Sequence, residues 1–270
     1  MALPTAARPT RSSARPVRRS WPLLALTAAF ILAAGLLPAV PQPAAYHDFA
    51  DQRAFLGIGN FIDVTSNGAF LITGMIGLVI VWRRRGHFEK PADSAPYIVF
   101  FLGVALTAAG SAWYHLAPDN ERLFWDRLPM TIAFMSLIAA QLVERVSSRL
   151  GLTLLAPLLA VGVASVVYWI ATERGGAGNV LPYVMLQAYA VGALLFLAAG
   201  YPSRYTRGRD IYGVFAAYVA AKVLEAFDRE VLAFGHVMSG HSLKHVAAAV
   251  AALLVCRMLW LRRRVASGQA

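Results

Sequence analysis

GHSLKHVAAAVAALLVCRMLWL, residues 240–261, is an apolar run as long as a bilayer core is thick, with two histidines near its start. A helix rises 1.5 Å per residue, so about 20 apolar residues cross roughly 30 Å of hydrocarbon. Working back along the chain, six more stretches read the same way, at about 61–82, 96–116, 127–146, 150–171, 181–200 and 211–228. An eighth, Trp21 to Val40, ends among Pro38, Pro41 and Pro43. None shows the alternation of a barrel strand, and a helix is otherwise the way to satisfy backbone polar groups in lipid. The predicted fold is all-α: a polytopic transmembrane bundle of seven core helices over 46–261, with one additional N-terminal helix at 21–40.

Composition agrees. Of 270 residues, 58% are hydrophobic and only 14% charged, with mean hydropathy +0.56, against about a quarter charged in soluble chains. Net charge +11 would suggest nucleic acid in a soluble protein, but these cations fall mostly in loops, so no nucleic-acid partner is expected. The single cysteine, Cys256, excludes an internal disulfide or a thiolate cluster. Residues 1–20 are rich in Pro, Ser and Arg and predict a disordered basic tail. The apolar run behind them reads as a signal peptide or a signal anchor. The lack of a small-x-small cleavage site favours an uncleaved helix.

Positive charge orients the bundle. With the N-terminal tail cytoplasmic, that side collects Arg8, Arg11, Arg15, Arg18 and Arg19, then Arg83, Arg84, Arg85 and Lys90, then Arg145 and Arg149. Arg204, Arg207 and Arg209 follow, and then Arg262, Arg263 and Arg264 in a short cytoplasmic tail at 262–270. The other side holds Arg53, Arg122, Arg127, Arg174 and Arg229. Both termini are thus expected in the cytoplasm. The Ala- and Arg-rich composition favours a bacterial inner membrane.

The same orientation gathers the polar residues. Ser111 and His115 end one segment, Asp126 opens the next, and His241 and His245 open the last, all near the non-cytoplasmic face. Each of the pairs Ser111/His115 and His241/His245 is spaced i, i+4 and shares a helix face. Ionisable groups at membrane depth are costly and tend to be functional. Three neutral imidazoles with an open fourth position form the ligand set of a catalytic zinc. Nearby, Glu225 and Asp228 read either as support for a zinc histidine or head group, or as charges neutralised locally by Lys222. His47 and His236 are expected to be solvated and His87 to lie at the opposite end. Trp113, Tyr114 and Trp125 read as an aromatic belt, and Gly74 and Gly77 as helix-packing positions.

The pattern S-x-x-x-H, an aspartate eleven residues later and H-x-x-x-H opening the last helix resembles the alkaline ceramidases. These belong to a wider superfamily of seven-helix membrane hydrolases that includes the adiponectin-receptor-like proteins. The resemblance covers roughly 46–261, and NFIDVTSN at 60–67 is similar to the family's opening helix, with its Ser-Asn pair. It implies zinc held by His115, His241 and His245, with Asp126 as general base or as a partner of a ligand histidine. Ser111 would serve the developing oxyanion. The implied substrate is a membrane lipid, with hydrolysis of the N-acyl bond of a ceramide-like molecule to a long-chain base and a fatty acid. A family calcium site would map to Asp48, Asp51, Asn60 and Asp63, but the acidic cluster is thinned here, so calcium (Ca2+) dependence is not predicted. Three alternatives remain at this stage: a hydrolase of another lipid amide or ester, a heme protein, and a non-enzymatic seven-helix receptor.

Overall fold

A computed structural model describes residues 21–265. The basic tail expected at 1–20 and the last five residues of the expected C-terminal tail lie outside the described residues. Helices form at all eight predicted positions: α1 (Trp21–Leu36), α2 (Phe61–Ser66) continued by α3 (Gly68–Arg83), α4 (Ala95–Leu116), α5 (Asn120–Arg145), α6 (Ser148–Arg174), α7 (Leu181–Gly200) and α8 (Asp210–Ala226). A short α9 (Asp228–Gly235) leads to α10 (Gly240–Leu261). Among the described residues, six helices are long and apolar enough to cross a membrane, counting α2–α3 as one. The polypeptide is therefore an all-α, integral membrane bundle. The remaining two, α1 and α8, are shorter, at 16 and 17 residues.

Two boundaries differ from the sequence reading in ways that matter. Helix α5 starts at Asn120, not 127, because the Asp119 side chain caps it by accepting from the Arg122 amide at 2.7 Å. Asp126 therefore sits two turns inside a helix. At the far end of α10 the chain does not leave the bundle at 262. Arg262 is buried between Phe88, Tyr97 and Tyr205 and ion-paired with Glu144.

Helices α3, α4, α5, α7, α8 and α10 pack in a circuit, with α6 outside against α5 and α7, and α1 against α7. The circuit is thinnest between α7 and α8. Close approaches are set by glycine. A Cβ on Gly74 would come within 2.7 Å of the Ala105 backbone nitrogen, and one on Gly77 would collide with Phe101, as expected of packing positions. Gly110 and Gly240 do the same at the histidine end: added Cβ atoms would strike the carbonyls of Trp125 and Leu224. These contacts press α4 onto α5 beside Asp126, and α10 onto α8 beside Glu225.

Candidate metal centre

His115 stands in the last turn of α4, and His241 and His245 in the first turns of α10. All three are buried, and each offers one ring nitrogen within 4.8 Å of the others. Nε2 of His115 and Nε2 of His241 are 3.3 Å apart. The ring centroids lie 4.9–5.0 Å from one another. This is a group able to hold a metal ion. Among the described residues no other cluster of His, Cys, Asp or Glu does so.

The surroundings aim the rings. Ser66 Oγ and His245 Nδ1 are 2.8 Å apart, which leaves Nε2 of His245 for the centre. Asn60 donates to the His115 carbonyl at 2.9 Å and thereby ties the start of α2 to the end of α4. Asp228 accepts from the His241 amide at 2.7 Å and from the Ala50 amide at 2.9 Å. It therefore fixes the backbone of His241 and not its ring. Phe49, brought over by the Ala50 contact, packs on His115 and His241 with centroids 4.6 and 4.4 Å away. The ring shuts the centre off from the outer loops. His115 Nδ1 is buried with no partner.

On the inner side the centre opens into a polar chamber of about 80 Å³, lined by Ser111, Asp126, Lys222, Glu225, Lys244 and His245 among others. Ser111 and Asp126, from neighbouring helices α4 and α5, both face this chamber. Five of the predicted site residues are thus brought to one place. Glu225 is also there, ion-paired with Lys222 at 2.5 Å and with Lys244 at 3.0 Å. Lys244 Nζ reaches His241 Nε2 at 2.9 Å. That nitrogen has one lone pair, which can face a metal ion or accept from Lys244, but not both; Glu225 is the acceptor that holds the ammonium in either case.

The calcium candidates are not gathered into one group. Asp48 pairs with Arg229 at 2.6 Å. Asp51 is buried and gripped by Arg53 at 2.8 and 2.7 Å, a guanidinium that holds its carboxyl below the usual carboxylate range. Arg53 also donates to the carbonyls of His236 and Val237, pinning this loop to the start of α10. Asp63 accepts from Ser239 at 3.3 Å and from Ser242, locking α2 to the N-terminus of α10.

Two further expectations are corrected. His47 is not solvated: Tyr114 Oη lies 2.8 Å from its Nδ1 and Asn120 Oδ1 3.0 Å from its Nε2. Tyr114 is accordingly buried and not part of an exposed belt, unlike Trp113 and Trp125, which are exposed. His236 is exposed, as expected. Ser66 and Lys244 were not singled out individually; the Ser-Asn pair in NFIDVTSN and the lysine inside HSLKH were their only signals, while Asn60 was named as a calcium candidate and instead holds the His115 carbonyl. No family model matches the chain, and no curated protein matches it, so the site is read from its own geometry.

Proposed function

We propose that the protein is a zinc-dependent membrane amidase that hydrolyses the N-acyl bond of ceramide-like lipids, releasing a long-chain base and a fatty acid. The observation that carries this reading is the junction of two chambers. The polar chamber with His245, Ser111 and Asp126 shares Phe70, Thr107, Met130, Tyr218 and Ala248 with an apolar one of about 160 Å³, walled by α4, α5, α7, α8 and α10. A lipid amide has those two parts in that order: a polar bond to be cut and an acyl chain to be buried.

The donor set supports zinc. Two nitrogens bound at about 2.05 Å to a tetrahedral ion lie roughly 3.3 Å apart, which is the spacing of the His115 and His241 nitrogens. The Ser66–His245 contact fits a centre built around an ion, because it holds Nδ1 of that ring and turns Nε2 inward. Rings this close leave no room for a heme macrocycle between them. When bound, such an ion polarises a carbonyl and lowers the pKa of water towards ~7. Asp126 is placed to take the proton of an attacking water and pass it to the leaving amine. Ser111 offers its one hydroxyl hydrogen to the developing oxyanion or helps to orient the amide. Phe49 keeps bulk water out from above. On this reading both termini are cytoplasmic, as the positive-charge pattern suggests, and the reaction runs near the outer face of a membrane that the Ala- and Arg-rich composition suggests is a bacterial inner membrane. Ceramide amides lie at that depth, just below the head groups.

The test is hydrolysis of an N-acyl sphingoid lipid by detergent-purified protein. Asp126→Asn should lower kcat about 10²–10⁴-fold while metal content stays unchanged. An Asp126→Asn protein as active as wild type would sink the general-base role. No turnover of amide or ester lipids by metal-loaded wild type would favour a receptor with a structural clamp.

A further inference from the structure

Five arginines stand at the histidine end, and four have a carboxylate: Arg53 with Asp51, Arg122 with Asp119, Arg174 with Glu121 and Arg229 with Asp48. The fifth, Arg127, has none within ion-pairing distance among the described residues, yet it is the most buried of the five, at 4% exposed. Its Nη2 donates to Gln42 at 2.7 Å, while Nε and Nη1 are buried without a partner. Glu173, on the helix face that carries Trp169, is engaged instead by Gln42, Trp169 and Asn120. Buried Arg145 at the opposite end also lacks a carboxylate, but there all three nitrogens donate to carbonyl oxygens. Among the described residues, Arg127 combines a buried charge that has no ion-pair partner with two unpartnered donors, a costly state that an anion would relieve.

Its position says where that anion would come from. The guanidinium lies against the rings of Tyr46, Trp169 and Tyr183, with centroids 5.3, 4.3 and 4.7 Å away. Tyr46 and Tyr183 are also walls of the polar chamber. Asp126 precedes Arg127 directly, so the two side chains diverge from adjacent points on α5. The chamber's own charges balance, Lys222 and Lys244 against Glu225 and Asp126, and Arg127, behind the walls formed by Tyr46 and Tyr183, adds a positive charge before any metal ion is present.

We propose that Arg127 is the receptor for an oxyanion, a carboxylate or phosphate, carried on the polar side of the acyl lipid that occupies the chamber. The inference rests on the lipid-amide reading and modifies its substrate: an N-acyl lipid with an acidic group next to the amine is preferred over neutral ceramide itself. An anion reaching the guanidinium would accept from Nε or Nη1 together with the second hydrogen of Nη2, whose first is given to Gln42, the fork geometry that guanidinium offers oxyanions.

Binding separates this inference from the amidase reading, because it needs no turnover. Thermal unfolding of the full-length, metal-loaded protein in detergent would be followed against N-lauroylglycine, N-lauroylethanolamine and inorganic phosphate. Wild type should bind the acidic lipid at least about tenfold more tightly than the neutral one, as expected of charge-assisted hydrogen bonds, and respond little to phosphate. In Arg127→Met that preference should vanish; in Arg127→Lys it should be weakened but present. The Lys variant and the wild-type ratio serve even if the Met variant does not fold. Equal affinity of wild type for the two lipids, or an unchanged preference in Arg127→Met, overturns the proposal. Equal stabilisation by inorganic phosphate overturns the assignment to a lipid group. Preferred binding of the acidic lipid without its hydrolysis would leave Arg127 as the receptor and count against the amidase.

Discussion

The bundle buries a polar cluster at each end, and the two are built on opposite terms. At the arginine-rich end, Glu144 pairs with Arg262 and accepts from Tyr97 at 2.8 Å, while Arg145 donates to Gln141 and to the carbonyls of Ala198, Tyr201 and Gly208. Among the described residues, Nη2 of Arg262 and Nε of Arg84 are the buried polar side-chain atoms there that lack partners. At the histidine end, imidazoles face each other across a few ångströms, His115 Nδ1 and two nitrogens of Arg127 are unpartnered, and a chamber adjoins them. Both ends also hold an arginine between three aromatic rings, Arg262 with its glutamate and Arg127 without. One cluster is closed on itself and holds helices together. The other leaves a ring nitrogen and guanidinium donors without partners beside a chamber.

That contrast can be broken by substitution. Removing one partner of a buried ion pair strands the other charge, so Glu144→Ala should destabilise the fold by about 3–5 kcal/mol. Thermal unfolding in detergent would read this, and the protein that remains folded should keep its full metal content. A Glu144→Ala protein of wild-type stability would mean that the inner cluster is no clamp. At the histidine end the balance should reverse. Ser66→Ala removes one hydroxyl behind His245 and should leave the unfolding temperature of the metal-free protein nearly unchanged. Metal affinity should nevertheless fall about 10–100-fold, the usual cost of losing an outer partner of a ligand histidine. Unaltered affinity by competition with a chelator would show that Ser66 does not orient the ring.

The two ends also differ in how far they could be read from the chain. Helix positions were legible because hydropathy over about 20 residues is a strong, local signal; the 181–200 and 240–261 segments match α7 and α10 end to end. The start of α5 was not, because NERLFWD is polar and the cap at Asp119 outweighs composition. His115, His241, His245, Ser111 and Asp126 emerged from i, i+4 spacing and shared depth. Their supports did not. Ser66 meets His245 across 179 residues of sequence, and Asp63 meets Ser242 across the same separation. No periodicity marks such contacts, so Asp63 was considered only as a candidate calcium ligand, and its bracing of α2 to α10 was not foreseen. Arg127 was read as a loop cation for the same reason that α5 was begun too late. Arg262 was read as tail, because three arginines in a row look solvated until one of them finds a buried glutamate.

The central claim is that the histidine end is open because it holds a metal ion. Elemental analysis of detergent-purified wild type beside His241→Ala/His245→Ala tests it most directly. The account predicts about one zinc per chain in the wild type and almost none in the double variant. No zinc in wild type handled without chelators, or equal zinc in both proteins, would contradict it.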